Sequence, residues 1–251
     1  MFKMSLFQKE LRESRWKIIV GLIIFIITAA SIPITFKYVK ELFALVPEIP
    51  GLDNLEMFLE NYNLYVWSQW QGKNLYQIGT ILAVVMGMNL IAGEKVANTL
   101  EFLLAKPLSR GALYFTKFAA GSFSLALIVL GSTAVLYLAS LVMGYELMWG
   151  QFLVATLITL LGLIFVFLLT LLISTVLDEP VKAGLLSALI LLLLALPGWF
   201  QQTYRLSVFY HMAGGEYILE GVFPFIPLFV IILISTGVFF AGLKLFERKE
   251  P

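Results

Sequence analysis

Six apolar runs fall at roughly 18–36, 75–92, 114–142, 152–177, 183–199 and 225–243, and nothing constrains the fold of this chain more. A helix needs about 20 residues to cover a hydrocarbon core ~30 Å thick, and most of the runs meet that length. The fifth is the shortest and is closed by Pro197 and Gly198. Charged residues are 13% of the 251, about half the ~25% of an ordinary soluble domain, and mean hydropathy is +0.93. No polar stretch is long enough to fold by itself, so 1–251 reads as a single transmembrane domain, all-α, with six spans. Cysteine is absent, which removes disulfides, thiol nucleophiles and cysteine metal sites.

Charge divides the loops between two sides. Residues 1–17 hold Lys3, Lys9, Arg12, Arg15 and Lys17, with Met4, Phe7, Leu11 and Ile18 on one helical stripe. This predicts an amphipathic helix lying at the interface and leading into the first span; a signal peptide, ending near Ala29, Ala30 and Ser31, is the competing reading. With both termini cytoplasmic, thirteen of the lysines and arginines lie inside, and Lys37, Lys40, Lys73 and Arg205 outside. That obeys the positive-inside rule. The first outer loop, 37–74, predicts a helix on the outer leaflet near 52–62 and an aromatic belt of Tyr65, Trp67, Trp70 and Tyr76 at the headgroups. The second outer segment, 199–224, is too long for a tight turn and carries Gly214, Gly215 and Gly221.

Between spans two and three lies a polar island, GEKVANTLEFLLAKPLSRGALYFTK, from Gly93 to Lys117. Asn98 followed by Glu101 has capping-box spacing, which predicts a helix start there. Leu100, Leu103 and Leu104 share one face of that helix, and Pro107 stops it by pushing Lys106 out of the α region. Ser109 then predicts the N-cap of the next helix.

Glu94, Thr99-Leu100-Glu101, the pair Leu103 and Leu104, and Pro107-x-Ser109-Arg110 together resemble the cytoplasmic loop of the ABC type-2 transporter permease family. The resemblance implies a coupling helix that docks into a separate ATP-hydrolysing subunit. The same nine residues would form that contact; the bland alternative is a capped amphipathic helix resting on the membrane. It further implies two ATPase copies carrying ATP and Mg²⁺, and a second permease copy or paralogue. In that family the second outer segment dips back into the membrane as short helices. Asn98 stands where a glycine is expected, and asparagine tolerates the left-handed conformation.

Absences narrow the rest. The interior of the spans reads as free of Asp, Glu, Lys, Arg and His, which argues against ion coupling, and no phosphate loop is present. No cofactor of its own and no nucleic-acid partner are expected; the surroundings are lipid. An intramembrane enzyme would need a nucleophile and base, and the sole histidine, His211, lies in an outer segment. Ser124, Ser132, Ser140, Ser174 and Ser187 are expected to bond back to helix carbonyls. A partner-binding protein without transport is the other rival. Gly79, Ala83 and Gly87, four apart, form a stripe for close helix approach, within this chain or to a second copy. Asn89 reads as a hydrogen-bonding group between helices or as a contact on the substrate path. Spans lined by Leu, Ile, Val and Phe suit an amphipathic or apolar cargo such as a peptide or toxin.

Overall fold

A computed structural model describes residues 4–44, 58–100, 103 and 108–248. Among these the chain is mostly helical, without a strand, and six helices are long and apolar enough to cross a membrane. Helix α1 (Met4–Glu13) precedes α2 (Arg15–Ala44), the first span. The second span is α3 (Tyr62–Gln69) and α4 (Tyr76–Met88), joined by a π-helical turn, Trp70–Leu75. A short α5 (Ala92–Val96) enters the polar island. Helices α6 (Arg110–Val142), α7 (Trp149–Val176) and α8 (Pro180–Ala195) are spans three to five, and α11 (Phe225–Arg248) is the sixth.

Each run read from hydropathy is present, mostly longer than its apolar part because the caps lie outside it. Ser109 shows why: its Oγ accepts from the Ala112 N–H at 3.2 Å, so α6 starts four residues before the apolar run.

Span two departs most from its reading. Tyr65 and Trp70 are buried in the bundle rather than set at the headgroups. The Trp70 Nε1 donates to Thr133 Oγ1 at 3.2 Å, and its ring meets Phe25 edge-on at 6.1 Å. An indole N–H that finds a partner inside has no need of the wet interface. Asn74 Nδ2 donates to the Gln69 carbonyl at 2.7 Å across the wide π turn. Most of the outer-leaflet helix expected near 52–62 lies outside the described residues; Leu59 and Tyr62, at its end, are buried.

Span four, α7, is the most buried span and sits among α4, α6, α8 and α11. Glycine makes that possible. Gly79 and Gly87 turn their missing side chains toward α7: a Cβ at Gly87 would lie 2.9 Å from Thr170 Cβ and 3.1 Å from the Phe167 carbonyl. The stripe Gly79, Ala83, Gly87 therefore packs on this chain's own fourth span, by dispersion contact rather than by water exclusion.

The segment after α8 folds into 3-10 turns at Leu196–Trp199 and Tyr204–Leu206, then α9 (Val208–Met212) and α10 (Gly215–Glu220). Thr159 Oγ1 donates to the Met212 carbonyl at 2.7 Å, and the Met212 side chain fills the space beside Gly162. Gly162 is thirteen residues into α7, roughly 20 Å along its axis at about 1.5 Å per residue. The segment thus returns to mid-span, turning at Gly214 and Gly221, whose φ values are +62° and +70°.

Candidate functional site

The polar island closes against α1, α6, α7 and α11 at one end of the bundle. Helix α5 ends in a Schellman motif: the Thr99 N–H bonds the Glu94 carbonyl at 2.9 Å and the Asn98 N–H bonds that of Lys95 at 3.0 Å. Asn98 has φ +54°, the one non-glycine left-handed residue among those described. That corrects its sequence reading. An N-cap has extended backbone, so Asn98 closes the helix before it, and the next begins from Thr99, whose carbonyl accepts from the Leu103 N–H at 3.0 Å. Asparagine does here what glycine would do, at low cost because its short polar side chain tolerates positive φ.

Leu100 packs against the core and Leu103 is buried in it. Leu100 and Leu103 thus anchor the start of this stretch to the bundle. Glu101, Leu104 and Pro107 lie outside the described residues.

Beneath the turn is a buried ion network. Lys117 Nζ lies 2.9 Å from Glu10 Oε1 and 2.8 Å from Glu94 Oε1, and the three residues are 1%, 2% and 9% exposed. Lys9 Nζ reaches Glu94 Oε1 at 3.1 Å and Glu13 Oε2 at 3.0 Å. Thr99 Oγ1 donates to the other Glu94 oxygen. Burial alone would pull the Lys9 ammonium down, but Glu13, Glu10 and Glu94 more than offset it and hold its pKa above the ordinary lysine value. The carboxylates of Glu10, Glu13 and Glu94 come within 4.8 Å of one another, with Lys9 and Lys117 supplying the cations among them.

Three segments distant in sequence meet at this point: α1, the turn after span two, and the first turns of span three. Lys117, at the loop end of span three and counted from the sequence with the loop's basic residues, is thus buried and ion-paired. It lies two turns inside α6, and its charge is matched by its neighbours. Helix α1 also turns differently from its sequence stripe. Leu6 and Glu10 face inward and Met4 is exposed, because one side of the helix packs on α6 and the other is uncovered.

The other ties run outward from the turn. Lys95 Nζ donates to the carbonyls of Thr175 at 2.9 Å and Leu177 at 2.7 Å, capping α7. Ser174 Oγ accepts from the Ala92 N–H at 2.9 Å and donates to the Met88 carbonyl at 2.9 Å. Ser174 thus bridges two spans, whereas Ser124, Ser132 and Ser187 bond back into their own helices; Ser140 does so too and also bonds the Tyr62 hydroxyl of span two at 2.6 Å. Arg110 Nη1 donates to the Glu247 carbonyl at 3.3 Å near the end of α11. Asn89 lies beside Gly93 and lines a polar cleft of about 270 Å³ with Lys17, Glu94 and Thr99. That places it at the joint, away from mid-membrane.

Glu94, Thr99 and Arg110, read from the sequence as contacts for a partner, thus make bonds within their own chain. Glu10, Lys9 and Lys117 were missed. A lysine predicted at a span boundary and a glutamate at the matching depth of an interfacial helix are the signal that could have found them.

Six helices long and apolar enough to cross a membrane, a segment after the fifth that folds back along α7, and a charged joint uniting the loop with the ends of several spans define a helical membrane domain. The family described as ABC-2 family transporter protein matches residues 4–202, most of the chain and all of the joint except α11. The chain belongs to the ABC-2 transporter family, as a multi-pass permease-type membrane protein. A search of the curated proteins returns no match.

Proposed function

We propose that this chain is the membrane subunit of an ATP-binding cassette exporter in the cytoplasmic membrane, with both termini cytoplasmic and 1–251 acting as one permease domain. It pairs with a second copy or a related permease. Two cytoplasmic ATPase subunits hold ATP and Mg²⁺ and carry out the hydrolysis. The observation that carries this reading is the joint, in which Glu94 and Lys117 bind the loop to α1 and to span three.

Closure of the ATPase pair displaces the helix that starts after Thr99. Leu100 and Leu103 pass the motion to the core, and the Glu10–Lys117–Glu94 network passes it to α1 and α6. Spans two and four follow through Ser174 and Lys95. Glu101, with Leu104 and Pro107, presents the ATPase contact; Glu94, Thr99, Ser109 and Arg110 hold the loop in shape behind it. The cargo is amphipathic or apolar, such as a peptide or lipophilic toxin, because the spans are lined mainly by Leu, Ile, Val and Phe.

The chain, purified gently from its native membrane, should bring an ATPase subunit with it, and Glu101→Arg should release that subunit while the protein remains inserted. Recovery of no ATPase under conditions that keep such complexes intact would sink the exporter reading and leave a partner-binding membrane protein.

A further inference from the structure

Helices α1 and α2 run on as nearly one rod, because the Ser14 N–H bonds the Glu10 carbonyl at 3.0 Å and the Ile18 N–H bonds that of Ser14 at 3.0 Å. Helical spacing therefore puts Arg12, Arg15, Trp16, Ile19, Ile23 and Ile27 on one face, and all six are exposed. The face is built in two parts. Its first part is cationic and ends at Trp16, 65% exposed; from Ile19 onward it is aliphatic. No carboxylate among the described residues answers the two arginines. Glu13 turns to Lys9 at 3.0 Å and Glu10 to Lys117 at 2.9 Å, both toward the joint. Lys17, the next cation, points the other way and donates to the Val85 carbonyl at 3.3 Å. The Arg15 guanidinium lies 5.8 Å over the Trp16 ring, a contact that uses none of its N–H donors on an anion.

We infer that this face holds one anionic phospholipid of the leaflet on the loop side, its phosphate on Arg12 and Arg15 and one acyl chain along Ile19, Ile23 and Ile27. The guanidinium fork matches phosphate oxygens in pairs, and no carboxylate competes for it. Position points to the same ligand. Helix α1 belongs to the joint, so the cationic part lies at the loop end of the bundle. The first span qualifies as membrane-crossing from Arg15 onward, and an exposed tryptophan between cations and aliphatic residues marks the level where headgroups give way to hydrocarbon. From Trp16 to Ile27 the face climbs eleven residues, roughly 16 Å at about 1.5 Å per residue. That is close to half of a ~30 Å hydrocarbon core, the reach of one acyl chain. A headgroup without net charge would leave two guanidiniums uncompensated, so the face selects an anionic one.

The inference is independent of any ATPase and of the direction of transport. Its test gives the whole chain, in mild detergent, equal amounts of phosphatidylglycerol and phosphatidylcholine with matched chains, and counts the retained lipid by native mass spectrometry. One arginine beside an anionic headgroup is worth about a fivefold preference, so the wild type should favour phosphatidylglycerol roughly twenty-five-fold. Arg12→Gln and Arg15→Gln should each lower that preference about fivefold, and Arg15→Lys, which keeps the charge without the fork, by less. Arg248→Gln, at the exposed end of α11, should leave it unchanged. A wild type without preference, or an equal loss from Arg248→Gln, would overturn the proposal. So would glycerol phosphate that displaces the lipid at equal concentration and constant ionic strength, which would show a site for the free anion. Spontaneous, near-complete disulfide pairing of Ile23→Cys in this cysteine-free chain would overturn it as well, by showing that a second copy covers the face.

Discussion

Lys117→Met removes the cation that Glu10 and Glu94 share and keeps most of the side-chain volume. Glu94 retains Lys9 at 3.1 Å, but the nearest ammonium left to Glu10 is Lys9 at 3.8 Å. Removing one partner of a buried pair typically costs about 3–5 kcal/mol, since the other charge stays desolvated. Lys9 places this case near the lower end, and 3 kcal/mol is roughly a hundredfold in the equilibrium between docked and undocked α1, at about 1.4 kcal/mol per decade. Leu6 faces inward and is buried, so a cysteine placed there reacts with a maleimide only when α1 opens. The labelling rate of Leu6→Cys should rise about a hundredfold with Lys117→Met and fall back when Glu10→Gln and Glu94→Gln are added, because neutral amides leave no bare charge. A rate within threefold of the parent would show that the network does not hold α1, and the proposed transmission through it would fail.

At Asn98, glycine should leave the melting temperature in detergent nearly unchanged, whereas Asn98→Val should cost about 1–2 kcal/mol for its left-handed backbone; equal melting of the two variants would contradict the Schellman geometry. Gly162→Leu must expel Met212, and overpacking of this kind costs about 1–3 kcal/mol; faster proteolysis within residues 201–221 should report it. For sidedness, Ser109→Cys should resist a membrane-impermeant maleimide added outside while Glu220→Cys reacts. The reverse pattern would invert the proposed orientation.

What the sequence disclosed is mostly what depends on neighbours in the chain. Hydropathy located six spans, since a run of twenty apolar residues has few other solutions. The Ser109 cap was readable because capping is settled within three residues. Asn98 was half readable: its residue type signals either a cap or a left-handed turn, and only the backbone bonds to Glu94 and Lys95 decide between them. Glu10 and Lys117 lie 107 positions apart, and no local rule joins a glutamate on a surface helix to a lysine at a span boundary. Trp70 misled for a related reason. An aromatic residue with a polar tip suits the interface and the core equally, and Thr133, which decides the matter, belongs to another span.

The position of Lys117 also sets an order of assembly. A buried lysine at the end of a span is costly to place against lipid unless its charge can snorkel to the interface or be matched. A ribosome delivers Glu10 and Glu94 before Lys117, so both carboxylates stand ready when the third span is handed to the membrane. Deletion of residues 4–13 should therefore show itself during biogenesis, as a third span that inserts poorly and a chain cleared by quality control. The same ten residues that brace the finished joint act first as a receiving partner for a segment not yet made.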